Sequence, residues 1–564
     1  MNRTPQRSRA PRAGSGVASA VAVVAVFAGV VACGERGARG PALEAETPVY
    51  GGTLVVAASS DLDGANALTT GEARTQEILR GALFMTLIRL DPSLEYAPYL
   101  AESWEMLGDT GVVFHLRDDV YWHDGVRSTA YDVAFTYERA RDPETAFPNA
   151  AYFTGWGAAE VIDSFTIRFR FERQEDPLAG LPQFPIMPRH LLDSIPSARL
   201  RQAAFNRNPV GNGPFRFVSQ RADDRWVFEA NPDFPEELGG RPYLDRVIWR
   251  VIPENQAQIA ELRAGTVDVV VSVRADQLAD LDARPELRAV VRETRKYQFI
   301  GWNGRRAPLD DARVRRALSL GIDREEMLHG LRAGYGELAT GPIDPGHWAY
   351  DRTLEPLPYD TAAARALLAE AGFVDRDGDG ILEDRSGADL RITLTTPNNE
   401  YNRNVAEKVQ SDLARIGVDL EIRLFDFATV IDDVLGDRRN FDGVILAWEA
   451  GLRAGELRDM FHSARLDGPF QFAGYSNPEV DRLIDEASRL TDRAAAKPLW
   501  HRVQQILHEE QPWTFLYYTP DLYVVHERVR DVAMDVRGTF ETLPRWWKVA
   551  EEAAPVAAGD GTGK

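Results

Sequence analysis

The stretch that decides the fold is FHLRDDVYWHDG, residues 114–125, followed by TAYDV at residues 129–133. Its opening residues form an amphipathic pattern, which predicts a strand with one buried face. His123-Asp124-Gly125 predicts a tight turn, because glycine and aspartate favour turn conformations. The residues from Thr129 to Val133 predict the start of a helix. We therefore expect a strand, a tight turn and a helix in immediate succession.

Four further blocks lie on either side of this stretch. Two of them flank it closely: GGTL at residues 51–54, which opens a β-branched strand, and the Gly/Pro-rich NPVGNGPF at residues 208–215. Two lie further on: residues 299–303 leading into DARVRRAL at 311–318 with Ile322-Asp323-Arg324, and YSNPEVD at 475–481. Asparagine is favoured at the N-cap and proline at the first position of a helix, so Asn477-Pro478 predicts a helix start.

Taken in order, the five blocks resemble the family 5 extracellular solute-binding proteins of ABC importers, the peptide, dipeptide and nickel class. The likeness runs from about Gly51 to about Trp547. It implies an α/β, bilobal periplasmic-binding-protein fold of type II in its large three-domain form, with mixed sheets in two lobes joined by a hinge. The block at 114–125 is then a marker of the fold rather than a ligand contact.

The resemblance and the composition together predict the division of the chain. We expect a lipoprotein signal peptide (1–33), a flexible tether (34–48), a discontinuous first lobe (49–89 with 209–302 and 513–550), an inserted small domain (90–208), a second lobe (303–512) and a disordered tail (551–564).

Periodicity supports the α/β class within the second lobe. Leu390 to Leu394 and Val418 to Leu424 alternate as strands do. Between them, apolar residues from Val405 to Ile416 recur at helical spacing, and Asn398-Asn399 can cap that helix. This pattern predicts a βαβ unit. Two more helices are predicted, at 361–371 and 478–490.

The first 33 residues carry an export signal. Arg3, Arg7, Arg9 and Arg12 precede the apolar run 17–32, and the chain's only cysteine, Cys33, follows it directly. The run has 16 residues, fewer than the roughly 20 that span a bilayer. A cysteine at the predicted signal-peptide cleavage site resembles the bacterial lipoprotein signal, in which the thiol receives lipid. The alternative is an ordinary signal peptide with a chance cysteine. We expect a periplasmic or cell-surface protein that is attached to the membrane through the lipid anchor only.

Composition limits the classes of partner. Hydrophobic content of 44% and aromatic content of 10% are those of a packed globular protein. A formal charge of −21 argues against nucleic acid, because phosphate binding needs a basic face. With no cysteine pair, stability must come from core burial.

No enzyme signature is present. The sequence lacks G-x-S-x-G, the phosphate-binding G-x-x-x-x-G-K-[ST] loop and H-E-x-x-H. His501 and His508 lie about two helical turns apart, too far for one metal. We expect a binding protein, not an enzyme, with no required cofactor.

One loop resembles a calcium site. Asp375, Asp377 and Asp379 alternate and Gly380 follows, as at the start of a calcium loop, but the twelfth position is Ser386 in place of glutamate. A polar turn is the favoured interpretation, and calcium stays open.

Nine residues are predicted to line the ligand cleft. The family resemblance implies Asp61 and Asp63, after the first strand, and the cleft tryptophan Trp448 with its neighbours Glu449 and Arg453; chain position suggests Trp302, Asn303, Asn398 and Asn399. Trp302 could instead pack the hinge, and the two aspartates could form a solvated turn. Asn398 and Asn399 stand at a helix N-terminus, which can hold an anionic group.

The residues after Trp448 depart from the pattern of peptide-binding members of the family. Peptide-binding members usually carry an aspartate about two positions after the cleft tryptophan, where it receives the peptide's α-amine. Here Glu449 is the only nearby acid, and Arg453 adds positive charge. Peptide is the first expectation, with oligosaccharides, opine-like compounds and metal chelates as alternatives. The expected partners of this monomer are an ABC permease and separate ATPase subunits; a sensing role without transport is the other alternative.

Overall fold

The computed structural model describes residues 47–549 apart from Asp437, and from Pro48 onwards they form one compact unit. The predicted signal with Cys33, the tether as far as residue 46 and the predicted tail from 551 lie outside the described residues. Within the described part, no helix combines the length and the apolar composition needed to cross a membrane.

The strands alternate with helices along the chain. They are β1 (Thr53–Ala58), β2 (Ile88–Leu90), β3 (Tyr96–Pro98), β4 (Ala101–Met106), β5 (Gly111–Leu116), β6 (Glu160–Asp163), β7 (Thr166–Arg170), β8 (Phe215–Arg221), β9 (Arg225–Ala230), β10 (Arg246–Val251), β11 (Val269–Val270), β12 (Leu287–Arg292), β13 (Lys296–Trp302), β14 (Glu337–Leu338), β15 (Arg391–Pro397), β16 (Asp419–Phe425), β17 (Gly443–Glu449), β18 (Trp513–Tyr518), β19 (Asp521–His526), β20 (Val529–Arg530) and β21 (Trp547–Lys548).

The α-helices are α1 (Ala73–Ile78), α2 (Ala130–Arg141), α3 (Arg189–Leu192), α4 (Asn255–Arg263), α5 (Ala275–Asp282), α6 (Ala312–Leu320), α7 (Arg324–Arg332), α8 (Thr361–Ala371), α9 (Glu400–Ala414), α10 (Phe427–Leu435), α11 (Leu457–Phe461), α12 (Pro478–Ala487) and α13 (Arg493–Glu510). A π-helical turn, Leu79–Leu83, follows α1. Short 3-10 segments are Pro143–Thr145, Ala150–Phe153, Leu181–Gln183, Ser197–Gln202, Ala204–Arg207, Glu236–Leu238, Ala454–Glu456, Ser463–Arg465 and Leu543–Arg545.

The first lobe is built on a seven-stranded sheet with the strand order β12-β19-β11-β1-β10-β9-β8. β1 lies at its centre, parallel to both β10 and β11. Leu54 and Val56 of β1 are fully buried, as its β-branched sequence predicts. Because Ala58 pairs with Val251, β1 and β10 end at the same edge of the sheet.

The inserted domain contains a four-stranded sheet, β4-β5-β7-β6, and the helix α2. The predicted strand, turn and helix of the opening stretch are all present. β5 is the strand, and Gly125 adopts a φ of +88° in the turn. Thr129 and Asp132 then form a capping box at the start of α2.

The opening stretch is held against the Gly/Pro-rich block at 208–215. The His123 backbone N–H donates to the Gly211 carbonyl at 2.7 Å, and its ring Nε2 lies 3.0 Å from the Gly213 carbonyl. Burial lowers the pKa of His123 to about 4, so the ring is neutral and donates through Nε2. A Cβ on Gly211 would lie 1.9 Å from the Leu83 carbonyl oxygen, which leaves room for glycine alone. Both sequence blocks therefore serve the packing of the fold.

The first lobe and the inserted domain share one hydrophobic core. Leu54 and Trp249 of the lobe belong to the same buried cluster as Phe114 and Trp156 of the inserted domain. Because a continuous core is close-packed, we expect these two parts to move as one body.

The second lobe has a six-stranded sheet with the order β14-β18-β13-β17-β15-β16. The predicted βαβ unit is β15, α9 and β16, and its two strands are parallel with Arg391 opposite Asp419. The helix predicted at 361–371 is α8, and that predicted at 478–490 is α12, which ends at Ala487.

The predicted lobe boundaries at 302 and 513 are wrong by one strand each. β13 and β18 pair with each other inside the second sheet, although both were assigned to the first lobe. The chain crosses between the lobes at residues 293–295, after β12, and returns at 519–520, before β19. Both strands are rich in buried apolar and aromatic residues that could join either sheet, so their sequences do not indicate which one.

Candidate functional site

The two crossings between the lobes are joined by charged side chains. Arg292 pairs with Asp521 at 2.6 Å and with Glu77 at 3.1 Å, and Lys296 pairs with Asp521 at 3.1 Å. Burial opposes ionisation of Asp521, but Lys296 and Arg292 outweigh it and lower its pKa. These ion pairs hold the hinge strands in register beneath the space between the lobes.

Two cavities have walls from both sides of the hinge. The first, about 140 Å³, is lined by inserted-domain and second-lobe residues that include Tyr96, Asp176, Gln183, Arg295, Asp344, His347 and Trp348. The second, about 450 Å³, is bounded by first-lobe residues 272–276, second-lobe residues 330–332 and 400–401, and residues 520–522. A further cavity of about 240 Å³ is lined by Val291 and Val536 of the first lobe and by Gly334 to Glu337 of the second. The space between the lobes, where these cavities lie, is the candidate site.

The predicted residues Trp448, Glu449 and Arg453 lie at the end of β17 and just after it. Trp448 is half-buried, and its ring meets that of Phe470 edge-on at 5.3 Å. Glu449 is exposed and pairs with Arg295 at 3.4 Å. Arg453 donates to Gln174 and to the Ala151 carbonyl of the inserted domain, each at 3.3 Å. Trp448 and Glu449 therefore lie opposite Tyr297 and Lys296 at the hinge end of the second-lobe sheet, and Arg453 contacts the inserted domain. Contact of the three side chains with ligand stays a prediction.

The structure places Trp302 and Asn303 inside the second lobe and not at the crossing where they were predicted, and their contact with ligand stays a prediction. Both side chains are buried, Trp302 with its Nε1 donating to Thr514 Oγ1 at 2.8 Å. Asn303 donates to the carbonyls of Arg439 and Phe441. Since β13 begins at the hinge and runs seven residues away from it, Trp302 lies about 20 Å from the crossing.

Asp61 and Asp63 hold the loop after β1 in place. Asp61 accepts hydrogen bonds from Trp226 Nε1 and from the Asp223 backbone N–H, both at 2.8 Å. Asp63 accepts one from Thr70 Oγ1 at 3.2 Å. These bonds support the solvated-turn alternative, and a contact of either side chain with ligand stays a prediction.

Asn398 and Asn399 lie at the start of α9, as predicted. The Asn399 side chain caps the helix by accepting from the Asn402 N–H at 2.9 Å, and Asn398 accepts from Arg403. The first turn of α9, at Glu400 and Tyr401, lines the larger cavity. Ligand binding by the two asparagines stays a prediction.

A small acidic cavity beside the first one was missed by sequence analysis. It measures about 20 Å³ and is lined by Tyr297, Asp344 and Glu456, among others. Among the described residues, none donates a hydrogen bond to the Glu456 carboxylate, to Asp344 Oδ2 or to the Tyr297 hydroxyl. Burial raises the pKa of both carboxyl groups. Three polar groups thus converge on a space the size of one water molecule.

The position of the Glu456 carboxylate depends on a glycine. A Cβ on Gly451 would lie 1.5 Å from Glu456 Oε2, so the carboxylate occupies the space of the absent side chain. Gly451 is the third residue after Trp448, in the stretch where the sequence offered Glu449 as the only acid. The fold therefore supplies an acid to this place from five residues further along the chain.

The buried histidine beside these acids is uncharged. Burial lowers the pKa of His347 to about 4, and its Nε2 lies 3.2 Å from the Leu452 carbonyl. His347 therefore adds no positive charge, and the nearby cations are the arginines Arg295 and Arg453.

The candidate calcium loop has a different ligand set from the predicted one. Carboxylate oxygens of Asp375, Asp377 and Glu383 lie within 4.8 Å of one another, whereas Asp379 accepts from the Ile381 N–H. Glu383 also accepts from the Arg376 N–H at 2.8 Å. Calcium binding here stays a prediction.

Comparison with known sequences places the chain in a family. Residues 95–457 match the model of the bacterial extracellular solute-binding proteins, family 5. The oligopeptide-binding protein AppA of Bacillus subtilis is 29% identical over 538 residues, which cover 94% of this chain and 97% of that protein. Heme-binding protein A of Haemophilus influenzae is 28% identical over 448 residues, 75% of this chain and 78% of that protein.

Solved structures agree with the fold. That of AppA from Bacillus subtilis with a nonapeptide has a TM-score of 0.72 at 28% identity and covers 89% of this chain and all of that one. NikZ from Campylobacter jejuni with Ni(L-His) also has a TM-score of 0.72, at 24% identity, covering 88% and 99% of the two chains; it shows the fold alone. With its two lobes, inserted domain and family match, the chain belongs to the bacterial extracellular solute-binding proteins of family 5.

Proposed function

We propose that this protein captures peptides outside the cytoplasm and delivers them to an ABC permease that works with separate ATPase subunits. The observation that carries the proposal is the acidic cavity at Asp344 and Glu456, where Asp344 Oδ2 and the Glu456 carboxylate accept no hydrogen bond from the described residues. The similarity to AppA, an oligopeptide-binding protein, supports the same ligand class.

The chemistry of the cavity suits a primary ammonium group. A buried carboxylate is unfavourable unless it is paired, so a cation is the partner that these acids need. An ammonium group is about the size of water and donates three hydrogen bonds, which matches Glu456, Asp344 and the Tyr297 hydroxyl. The larger cavities between the lobes would hold the rest of the peptide.

The ligand itself provides the first test. Native mass spectrometry of the full chain purified from its host should release peptides with a free amino group, chemically unchanged. Recovery of an oligosaccharide, an opine-like compound or a metal chelate would replace the peptide assignment. Steady release of an altered ligand would place the protein among the enzymes.

We also propose that Cys33 anchors the protein to the membrane through lipid and that the rest of the chain works as a monomer. The expected result is that wild type sediments with membranes, whereas Cys33→Ala is released into the soluble fraction. Equal partition of the two proteins between membrane and soluble fractions would contradict the anchor and favour an ordinary signal peptide.

A further inference from the structure

The inserted domain contacts the second lobe mainly through one short segment, Gln174-Glu175-Asp176, and also through Ala151, which accepts from Arg453, and Glu95, which pairs with Arg493. The Glu175 backbone N–H donates to the Ser488 carbonyl at 3.0 Å. Its carboxylate Oε2 accepts from the Gly455 N–H at 2.7 Å. Asp176 pairs with Arg493 at 2.9 Å. Three consecutive residues thus contact three separate segments of the second lobe.

Further contacts surround the segment. Arg453 of the second lobe donates to Gln174 Oε1 at 3.3 Å. Tyr96 of the inserted domain donates to Asp176 Oδ1 at 2.6 Å, and the Arg493 guanidinium lies 5.9 Å from the Tyr96 ring centre. The contact is therefore polar throughout and has no apolar core of its own, which distinguishes it from the core shared by the first lobe and the inserted domain.

Glu175 is an unusual residue for a permanent contact. It is buried, and its second oxygen, Oε1, has no hydrogen-bond partner among the described residues. Burial raises its pKa to about 7; Asp176 adds to the rise, while the Gly455 N–H, Arg453 and the Trp500 side chain oppose it. Arg493, which also faces this segment, is engaged by Asp176. In an open form, water would hydrate the carboxylate and its cost of burial would disappear.

We propose that Gln174-Glu175-Asp176, here called the insert latch, is a releasable contact that closes the second lobe onto the inserted domain, and that Glu175 is the positioning residue that makes this closure depend on pH. The inserted domain shares a core with the first lobe, so release of the latch, with the exposed contacts of Arg453 to Ala151 and Arg493 to Glu95 beside it, frees the second lobe to move about the crossings at 293–295 and 519–520. The proposal does not depend on which ligand the cleft holds.

Gly455→Ala tests the latch from the second lobe. A Cβ on Gly455 would lie 2.7 Å from Glu175 Oε2 and 3.3 Å from Ser488 Oγ. The first of these contacts exists only when the latch is closed. Hydrogen exchange on the full chain without added ligand should show the Glu175 and Gly455 amides exchanging about ten- to a hundredfold faster, as expected when a hydrogen bond to a charged group is lost.

The matched control is Gly341→Ala, because a Cβ there meets no atom within 4 Å. It should leave both amides as protected as in the wild type. Small-angle scattering should give a larger radius of gyration for Gly455→Ala than for the control. Unchanged exchange and size in Gly455→Ala would overturn the proposal.

A compensating variant separates the latch from a local effect at Gly455. Glu175→Ala removes the carboxylate that the new methyl group would meet. The Gly455 amide is already unpartnered in that background, so adding Gly455→Ala should not accelerate its exchange further. If Gly455→Ala accelerated amide exchange equally with and without the Glu175 side chain, its effect would come from the local backbone at Gly455. That result would contradict the latch.

The pH profile tests the role of Glu175. Its pKa is about 7 in the latched form and near the ordinary value of about 4.3 when hydrated. Closure is therefore fully favoured below about pH 4 and loses this contribution as the pH rises through 7. Protection of the Gly455 amide, corrected for intrinsic exchange, should be lower at about pH 8 than at about pH 5. These two values lie on either side of the pKa of about 7.

Glu175→Gln should flatten this profile, because glutamine keeps an acceptor oxygen and carries no charge. Glu172 is an exposed acid three residues before Glu175 and lies outside the latch. Glu172→Gln should therefore keep the wild-type profile. A Glu175→Gln profile as steep as that of the wild type would show that another group controls closure and would remove Glu175 from the proposal.

Discussion

Glu456→Gln is expected to weaken the binding of amine-bearing peptides by about 30- to several-thousand-fold, equivalent to about 2–5 kcal/mol, the cost of removing one member of an enclosed charge pair. The carboxylate lies in a cavity of about 20 Å³ and accepts no hydrogen bond from the described residues, so a bound ammonium would supply the hydrogen bonds that the nearby Arg295 and Arg453 do not. Glutamine keeps the shape and removes the charge. Calorimetry with the peptides recovered by native mass spectrometry measures the loss.

Glu449→Gln is the matched control. Glu449 is exposed and is paired with Arg295 at 3.4 Å, so its substitution should stay within about 0.5 kcal/mol. N-acetylation of the peptide provides a second control, because it removes the ammonium group and should make wild type and Glu456→Gln bind alike. A large loss of peptide affinity in Glu449→Gln, with normal affinity in Glu456→Gln, would show that Glu449, the acid predicted from sequence, binds the amine.

The same assignment fixes the sign of the pH dependence. Burial raises the pKa of Asp344 and Glu456 in the empty cavity, whereas a bound ammonium would favour their ionised forms. Affinity for amine-bearing peptides is therefore full above the raised pKa values and is lost as the pH falls through them. The insert latch has the opposite sign, since protonation of Glu175 favours closure. The two effects can be separated because only the first requires an amine on the ligand.

The architecture could be predicted where local pattern and structure agree. The alternation from Val418 to Leu424 and the helical spacing from Val405 to Ile416 correspond to β16 and α9. The lobe boundaries could not be predicted, because β13 and β18 are buried runs whose side chains suit the core of either sheet. Sheet membership is decided by which strand edges meet in three dimensions, which no local periodicity records.

The residues of the candidate site could be predicted from local sequence even less well than the lobe boundaries. Trp448 was identified through family resemblance; it lies near the end of β17, opposite Tyr297, and its contact with ligand stays a prediction. Asp344 and Glu456, in contrast, are 112 positions apart in the chain, and each has ordinary neighbours in sequence. Their significance appears only when the loop at Asp344 packs against Tyr297 and when Gly451 leaves room for the Glu456 carboxylate. The sequence favoured Glu449 because it is adjacent to the tryptophan, and adjacency in sequence says little about burial.

Trp302→Ala is expected to lower the free energy of unfolding by about 3–5 kcal/mol, the usual cost of truncating a buried tryptophan. The ring is fully buried in the second-lobe core, where its Nε1 donates to Thr514 Oγ1 at 2.8 Å. Its removal leaves a cavity and takes away one of the two hydrogen-bond partners of the Thr514 hydroxyl, the other being Ser319, so urea unfolding should show a clear shift. Peptide affinity, measured where the variant remains folded, should be close to that of the wild type because Trp302 lies far from the hinge.

Trp448→Ala should show the reverse pattern. Trp448 is half-buried at the cleft edge, so truncation should reduce stability less than Trp302→Ala does and should weaken binding through lost aromatic contact with the ligand. The two tryptophans thus separate a packing role from a binding role within one lobe. If Trp302→Ala kept its stability and lost its ligand, the cleft would have to include the far end of β13. If Trp448→Ala bound peptide normally, the cleft would not include the edge where β17 ends, and the nearby Glu456 cavity would lose its place as the ammonium site.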